Sequence, residues 1–333
     1  MGMGATTVSA AMLVAVVRDA LVQQLAVEAG FGARQFTVRP IQSEGLINAH
    51  SLLEVGDERY VVRRYGWPWP GVEPFDRMAK EAWLLGKLEA AGVRAPRAIA
   101  SARDGDDAAL LLSYVDGAPL GTLDVRRDDM WRAAGAALRE IHDADIGMAG
   151  SPVGMIIGGG RVDAFAGGWA EWNVTNTRHH GEALAAGRPD LGIDVERCVA
   201  IVEQARAALD AGPTCLIHTD ANPWNVLITP DGRATWVDWE FAWWGDPLYD
   251  FVRMTFARKR YLGPLPDAYF EGYGNDPRGS PLFGIYELQF QLWMGHEALA
   301  PLLPIQVTYD NAERYLRQLP AHLDRLEAVA QSN

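Results

Sequence analysis

The sequence predicts an α+β protein with a small strand-rich first part and a larger, mostly helical second part. Three observations carry this. Short runs of strand character, separated by turn residues, recur between residues 36 and 114. Helical spacing dominates from Asp128 onward. Between the helices stands Leu216-Ile-His-Thr-Asp220, an apolar strand opening into a tight polar loop. A hairpin follows it, with strands at Val226-Leu-Ile-Thr229 and Ala234-Thr-Trp-Val237 around the turn Pro230-Asp-Gly232.

Taken in order, an amphipathic helix is expected from about Val8 to Ala29, ending near Gly30. Strands follow at Phe36–Pro40, His50–Val55 and Tyr60–Arg64, with a loop at Gln42–Asn48 and a turn at Gly56-Asp57. Strand, glycine-containing loop, strand is a layout able to lay backbone N–H groups over phosphates. Met78, Ala82, Leu85 and Leu88 recur at helical spacing up to Gly92. Further strands are expected at about Ala98–Ser101 and Ala109–Tyr114. Ser113-Tyr-Val-Asp-Gly117 breaks the strand pattern and divides the chain into domains 1–115 and 116–333.

In the second part a helix is expected over Asp128–His142, with His142 as a helix-end packing residue. Ile156-Ile-Gly-Gly-Gly160 reads as a flexible connection, lacking the strand-to-helix context of a phosphate loop. The stretch Phe165–His180 is aromatic and polar, its tryptophans placed in the core and the adjacent His179-His180 in a loop. One helix is expected over Asp194–Ala211, and three helices with a loop at Gly272–Ser280 from Asp267 to about Ala330.

The chain has 333 residues, 49% of them hydrophobic and 22% charged, the balance of a soluble globular protein. A net charge of −13 argues against a nucleic-acid partner. No apolar run reaches the roughly 20 residues of a membrane span. Cys198 and Cys215 read as buried free thiols of a reducing compartment, and no Cys or His spacing suggests a metal site. The expected location is the cytoplasm. Gly2 with Thr6 fits a lipidation pattern so short that it recurs by chance.

His218, Asp220 and Asn225 precede the hairpin and Asp238 closes it, so Asp220, Asn225 and Asp238 are expected to share one pocket. Those residue types suit phosphoryl transfer. Magnesium takes oxygen ligands and keeps several waters, so the amide of Asn225 and the carboxylate of Asp238 suffice as protein ligands. Asp220 is then the carboxylate that orients the attacking hydroxyl and accepts its proton.

The joint pattern His218-x-Asp220-x-x-Pro223-x-Asn225, Asp238-Trp-Glu240 and Gly245-Asp-Pro-Leu-Tyr-Asp250 resembles the aminoglycoside phosphotransferase family. That family includes antibiotic, choline and homoserine kinases and shares its fold with protein kinases. Thr219 stands where the family commonly has glycine, and Trp239-Glu240 where protein kinases have Phe-Gly. Glu240 has two open roles, one at the metal or its waters and one as a structural acceptor. The resemblance implies a two-lobed protein-kinase-like fold with a nucleotide-binding first lobe and a catalytic, substrate-binding second lobe.

It further implies Mg2+ and ATP or GTP as donor. Ser43 and Asn48 match polar positions of the nucleotide loop, Arg63 the phosphate-contacting base and Glu81 its partner, while backbone groups at Tyr114 and Val115 face the purine. Asp246 is expected to cap the following helix and Asp250 to brace the His218 loop. The implied activity is transfer of the γ-phosphate to a hydroxyl of a small molecule, foremost an antibiotic: an aminoglycoside, a macrolide, or a nucleoside or peptide antibiotic such as capuramycin. The alternatives are a metabolic kinase for choline, homoserine or an amino sugar, and a silent nucleotide-binding pseudokinase.

Overall fold

A computed structural model describes residues 19–32, 34–41, 48–66, 74–124, 126–261, 264–299 and 312–330. The described residues fall into two compact units. The first comprises those up to Ala90, Ala95–Asp116 and Ile157–Gly160, and the second the remainder.

The first unit contains α1 (Asp19–Glu28), β1 (Thr37–Pro40), β2 (Ala49–Val55), β3 (Glu58–Tyr65), α2 (Pro74–Ala90), β4 (Ala98–Asp104) and β5 (Asp107–Ser113). The strands form one antiparallel sheet in the order β1-β2-β3-β5-β4. Apolar residues of α1 at Leu21, Val22 and Leu25 pack on Leu53, Val55, Val62 and Leu111. Ala108 to Leu112 is apolar on both faces, as a central strand covered twice requires. Alternation along β3 separates its side chains: Val62 joins the α1 core, while Arg63 and Tyr65 bond Glu81 of α2. Residues 8–18 of the expected first helix lie outside the described residues.

The second unit runs through β6 (Ala118–Pro119), α3 (Asp128–His142), β7 (Gly154–Ile157), β8 (Arg161–Ala164), α4 (Gly168–Gly187), α5 (Val195–Gln204) and α6 (Arg206–Ala211). It continues through β9 (Cys215–Ile217), β10 (Val226–Ile228), β11 (Ala234–Trp236), β12 (Trp243–Gly245), α7 (Leu248–Tyr261), α8 (Asp267–Tyr273), α9 (Pro281–Leu299), α10 (Ala312–Arg317) and α11 (Leu319–Ala330). Its two small sheets have the orders β11-β10-β6 and β8-β7-β12-β9. Helices α3 and α8 nearly touch. A Cβ at Gly135 would lie 1.9 Å from Tyr269 O, and one at Gly272 would lie 2.0 Å from Arg132 O. Glycine at both positions is what allows that approach.

The structure corrects several expectations. Residues 154–164 form two strands linked by a 3₁₀ turn, not a flexible connection. The turn's Gly160 has φ 75° and lies against Trp83, where a side chain has neither room nor a relaxed backbone. His179 and His180 lie inside α4. Its buried residues form one face, but that face mixes Asn173, Thr177 and Gly181 with the apolar residues, so hydropathy shows no clear stripe. The helix expected over Asp194–Ala211 breaks at Ala205, after Asp194 caps it through the Arg197 N–H at 3.0 Å. From Asp267 onward the described residues hold four α-helices instead of three.

Candidate active site

Strand β9 delivers the chain to the polar loop. Leu216 and Ile217 are buried, and the N–H groups of His218 and Thr219 both donate to the Asp250 carboxylate at 2.7 Å. Asp250 is wholly buried in the first turn of α7, and its Oδ2 also lies 3.2 Å from His142 Nε2. The other ring nitrogen of His142 is 2.9 Å from the Tyr273 hydroxyl, so this histidine orients the brace from behind. Thr219 has φ 63°, a left-handed conformation that is costly for a β-branched residue. Its hydroxyl compensates by donating to Phe241 O at 2.8 Å. The buried His218 ring lies against Trp236 and Trp239, and its Nε2 is 2.9 Å from Val237 O.

Asn222 closes the turn beyond Asp220. Its Nδ2 donates to Asp220 O at 2.9 Å, and its Oδ1 accepts from Trp224 N at 2.9 Å. Asn225 Nδ2 donates to Asp220 Oδ2 at 2.9 Å and to Asp220 O at 3.0 Å. Across the hairpin Val237 N donates to Asn225 O at 3.0 Å, which sets Asp238 one residue beyond the partner of Asn225. Asp238 has φ 72°; it and Thr219 are the two non-glycine residues with positive φ among the described residues. Such strain clusters at functional loops. The following Trp239 and Glu240 are buried.

The donor chemistry fits magnesium. Both amide hydrogens of Asn225 are directed at Asp220, which leaves its Oδ1 as the atom able to face a cation. The Asp238 carboxylate would be a second oxygen donor of the type this ion takes. A site of one carboxylate and one amide oxygen leaves room for waters and phosphate oxygens, the usual company of this ion.

In the first unit Arg63 Nη1 lies 3.3 Å from Glu81 Oε1, with side-chain exposures of 3% and 1%. The Tyr65 hydroxyl donates to the other Glu81 oxygen. Arg64, on the opposite face, pairs with Asp107 at 2.7 Å. Asn48 is buried at the start of β2, and Ser43 lies outside the described residues. Tyr114 donates its N–H to Arg59 O at 3.4 Å, and its ring lies under the Arg59 guanidinium at 4.2 Å. Val115, beyond the end of β5, is half-buried.

Sequence reasoning missed Arg253. Its Nη2 is 2.5 Å from Asp220 Oδ1, and its guanidinium lies 5.9 Å from the Trp293 ring centre. No local pattern signals this contact, which joins α7 to a loop 33 residues earlier in the chain. Asp246 caps α7 through Leu248 N at 2.8 Å and accepts from the Tyr286 hydroxyl at 2.8 Å. Burial raises the Asp246 pKa above the usual carboxylate range. Beside it, Trp172 stacks on Phe165 and Trp169, Trp243 meets Trp172 edge to face and Tyr249 is tilted against Trp243, with Trp169 deep in the core and Trp172 half-buried. Among the acidic residues of the C-terminal region, Glu271 pairs with Arg132 at 2.6 Å and Glu297 is buried. Glu287 lies 4.0 Å from His322, and Asp310 lies outside the described residues.

Compared with solved structures, the chain has the fold of small-molecule kinases. A crystal structure of the aminoglycoside phosphotransferase APH(4)-Ia superposes with a TM-score of 0.69 at 18% identity, covering 92% of this chain and 98% of that one. A thermostable mutant of the same protein, in ternary complex with AMP-PNP and hygromycin B, gives 0.66 at 20% identity, covering 91% and 99%. The Plasmodium vivax ethanolamine kinase gives 0.58 at 13% identity, covering 86% and 82%. No curated protein matches the sequence significantly. The family model of the phosphotransferase enzyme family matches residues 37–283, and the chain belongs to that family.

Proposed function

We propose that the protein transfers the γ-phosphate of ATP or GTP to a hydroxyl of an antibiotic. The observation that carries this reading is the Asp220 carboxylate, held at 2.9 Å by Asn225 within a loop pinned by Asp250. Asp220 orients the acceptor hydroxyl and takes its proton as the oxygen attacks phosphorus. Its two oxygens offer more acceptor sites than Asn225 and Arg253 use, so a lone pair is available for the substrate. Magnesium bound with the nucleotide would supply neutralisation of the phosphate charge. Asn225 and Asp238 are the residues that would hold it. Arg63, fixed by Glu81, contacts the phosphates, Asn48 and Ser43 belong to the nucleotide loop, and the backbone at Tyr114 and Val115 reads the purine. Among the described residues no helix is long and apolar enough to cross a membrane. A cytoplasmic enzyme with a small-molecule acceptor, and with neither nucleic acid nor membrane as partner, completes the reading.

An antibiotic acceptor is supported by the likeness to APH(4)-Ia, whose complex holds hygromycin B. The likeness to ethanolamine kinase favours a second reading, a metabolic kinase for a small amine alcohol. Nucleotide consumption with magnesium, measured against aminoglycosides, macrolides, nucleoside and peptide antibiotics, choline, ethanolamine and homoserine, separates them. Turnover confined to the antibiotics supports the first reading, and turnover confined to the amine alcohols supports the second. No turnover with any acceptor rejects both and leaves a silent nucleotide-binding protein.

A further inference from the structure

Helices α4 and α9 bring together three histidines that are not part of the Asp220 loop. His179 and His180 come from α4 and His296 from α9. One ring nitrogen of each lies within 4.8 Å of those of the other two. It is the one such cluster of histidine, cysteine or carboxylate groups among the described residues. The ring centres stand 5.0, 5.2 and 5.3 Å apart, close to an equilateral triangle.

That triangle has the dimensions of a metal site. Zinc–imidazole bonds of about 2.0–2.1 Å put each ring centre about 3.1 Å from the ion. Three imidazoles at tetrahedral angles then have centres about 5.1 Å apart. His180 Nδ1 and His296 Nδ1 are 2.9 Å apart, against about 3.3 Å for two nitrogens on one such ion. A shift of a few tenths of an ångström in two side chains converts one arrangement into the other.

The scaffold around the cluster is built. Gln289 of α9 donates to Asn173 O of α4 at 3.0 Å. A Cβ at Gly295, beside His296, would meet Leu184 of α4 at 3.0 Å. His180 and His296 are half-buried and His179 is exposed, so an ion has a path from solvent. An all-imidazole set suits zinc, nickel or copper and not magnesium or calcium, which take oxygen ligands.

We propose that His179, His180 and His296 form a three-imidazole site for a zinc-type transition-metal ion, with water in the remaining position. Such an ion ties α4 to α9.

The test uses the full chain without an affinity tag, stripped by chelator and titrated with Co2+. One equivalent should give the visible absorption of tetrahedral cobalt, bleached by Zn2+ and untouched by excess Mg2+. His296→Ala and His180→Ala should each weaken binding by more than the 10- to about 100-fold that loss of an outer partner costs. Asp238→Ala should leave the signal unchanged, which separates this site from the oxygen-donor site. Absence of the cobalt spectrum in the unaltered chain, or affinity in both histidine variants equal to that of the unaltered chain, overturns the proposal. Should a variant fail to fold, thermal unfolding of the unaltered chain decides. A rise in midpoint with stoichiometric Zn2+ supports the site, and no rise overturns it.

Discussion

Arg253 Nη2 and Asp220 Oδ1 lie 2.5 Å apart, so a guanidinium from the second turn of α7 holds the carboxylate at the centre of the polar loop. The pair is partly open to solvent, with side-chain exposures of 21% and 28%. Its value therefore lies in orientation more than in stability. Arg253→Lys replaces a planar fork by a point charge. Stability should change by less than about 1 kcal/mol. Turnover should fall about ten- to a hundredfold, since misplacing a catalytic group by about 1 Å costs on the order of a hundredfold. Denaturant unfolding and steady-state kinetics on one preparation check both halves.

Removing the proposed base acts on chemistry alone. Asp220→Ala should lower turnover by about 10²- to 10⁴-fold, the range supplied by a positioned proton acceptor. Nucleotide affinity, measured by titration with a fluorescent analogue, should stay within a few-fold. A near-normal rate in this variant removes Asp220 from the mechanism.

The Arg63–Glu81 pair is buried in the first unit. Glu81→Ala deprives a buried guanidinium of its carboxylate, a change that costs about 3–5 kcal/mol when a buried pair is broken on one side. Arg63→Ala should chiefly raise the KM for nucleotide. Chemical unfolding reads the first effect and nucleotide dependence the second.

His180 makes stability depend on pH. Its pKa is about 4 in the folded chain against 6.5 for the free side chain. The unfolded chain binds the extra proton first, so this contribution is whole above about pH 6.5 and is lost as pH falls toward 4. The size is at most about 3 kcal/mol and smaller once solvent screening of a partly exposed ring is counted. His180→Gln should flatten the acid side of a stability–pH curve measured in chelator.

Both thiols should be unreactive in the folded protein. Burial pushes the Cys198 pKa up to about 12 and that of Cys215 higher, so little thiolate exists at neutral pH. A colorimetric thiol reagent should count no fast-reacting cysteine until denaturant is added, and two afterwards.

The polar loop was legible because its chemistry is local. Leu216 and Ile217 announce a strand, Pro230-Asp-Gly232 a turn, and three oxygen-bearing side chains sit within one hairpin's length. The Asp246 cap was legible from its place just before a helix start, and the Asp250 brace from the resemblance of Gly245-Asp-Pro-Leu-Tyr-Asp250 to the family's pattern. Arg253 was not, because nothing in a helical pattern says which charged residue turns inward. His179 and His180 were read as a loop on the argument that neighbours cannot share a helix face. The partner that draws them together, His296, comes from α9, and no local pattern carries that contact. Helix α4 stayed hidden for another reason. Its one buried face carries Asn173, Thr177 and Gly181 among the apolar residues, so hydropathy shows no stripe.

Asp246, Asp250 and Arg253 lie in or just ahead of the first two turns of α7, and each touches something different: the helix's own start, the loop backbone and the Asp220 carboxylate. A helix advances by about 100° per residue. One residue inserted between Asp250 and Arg253 would swing one of them away whichever end of the helix kept its seat. Here the molecule tolerates a change of letter far better than a change of spacing, and α7 works as a ruler whose gradations are hydrogen bonds.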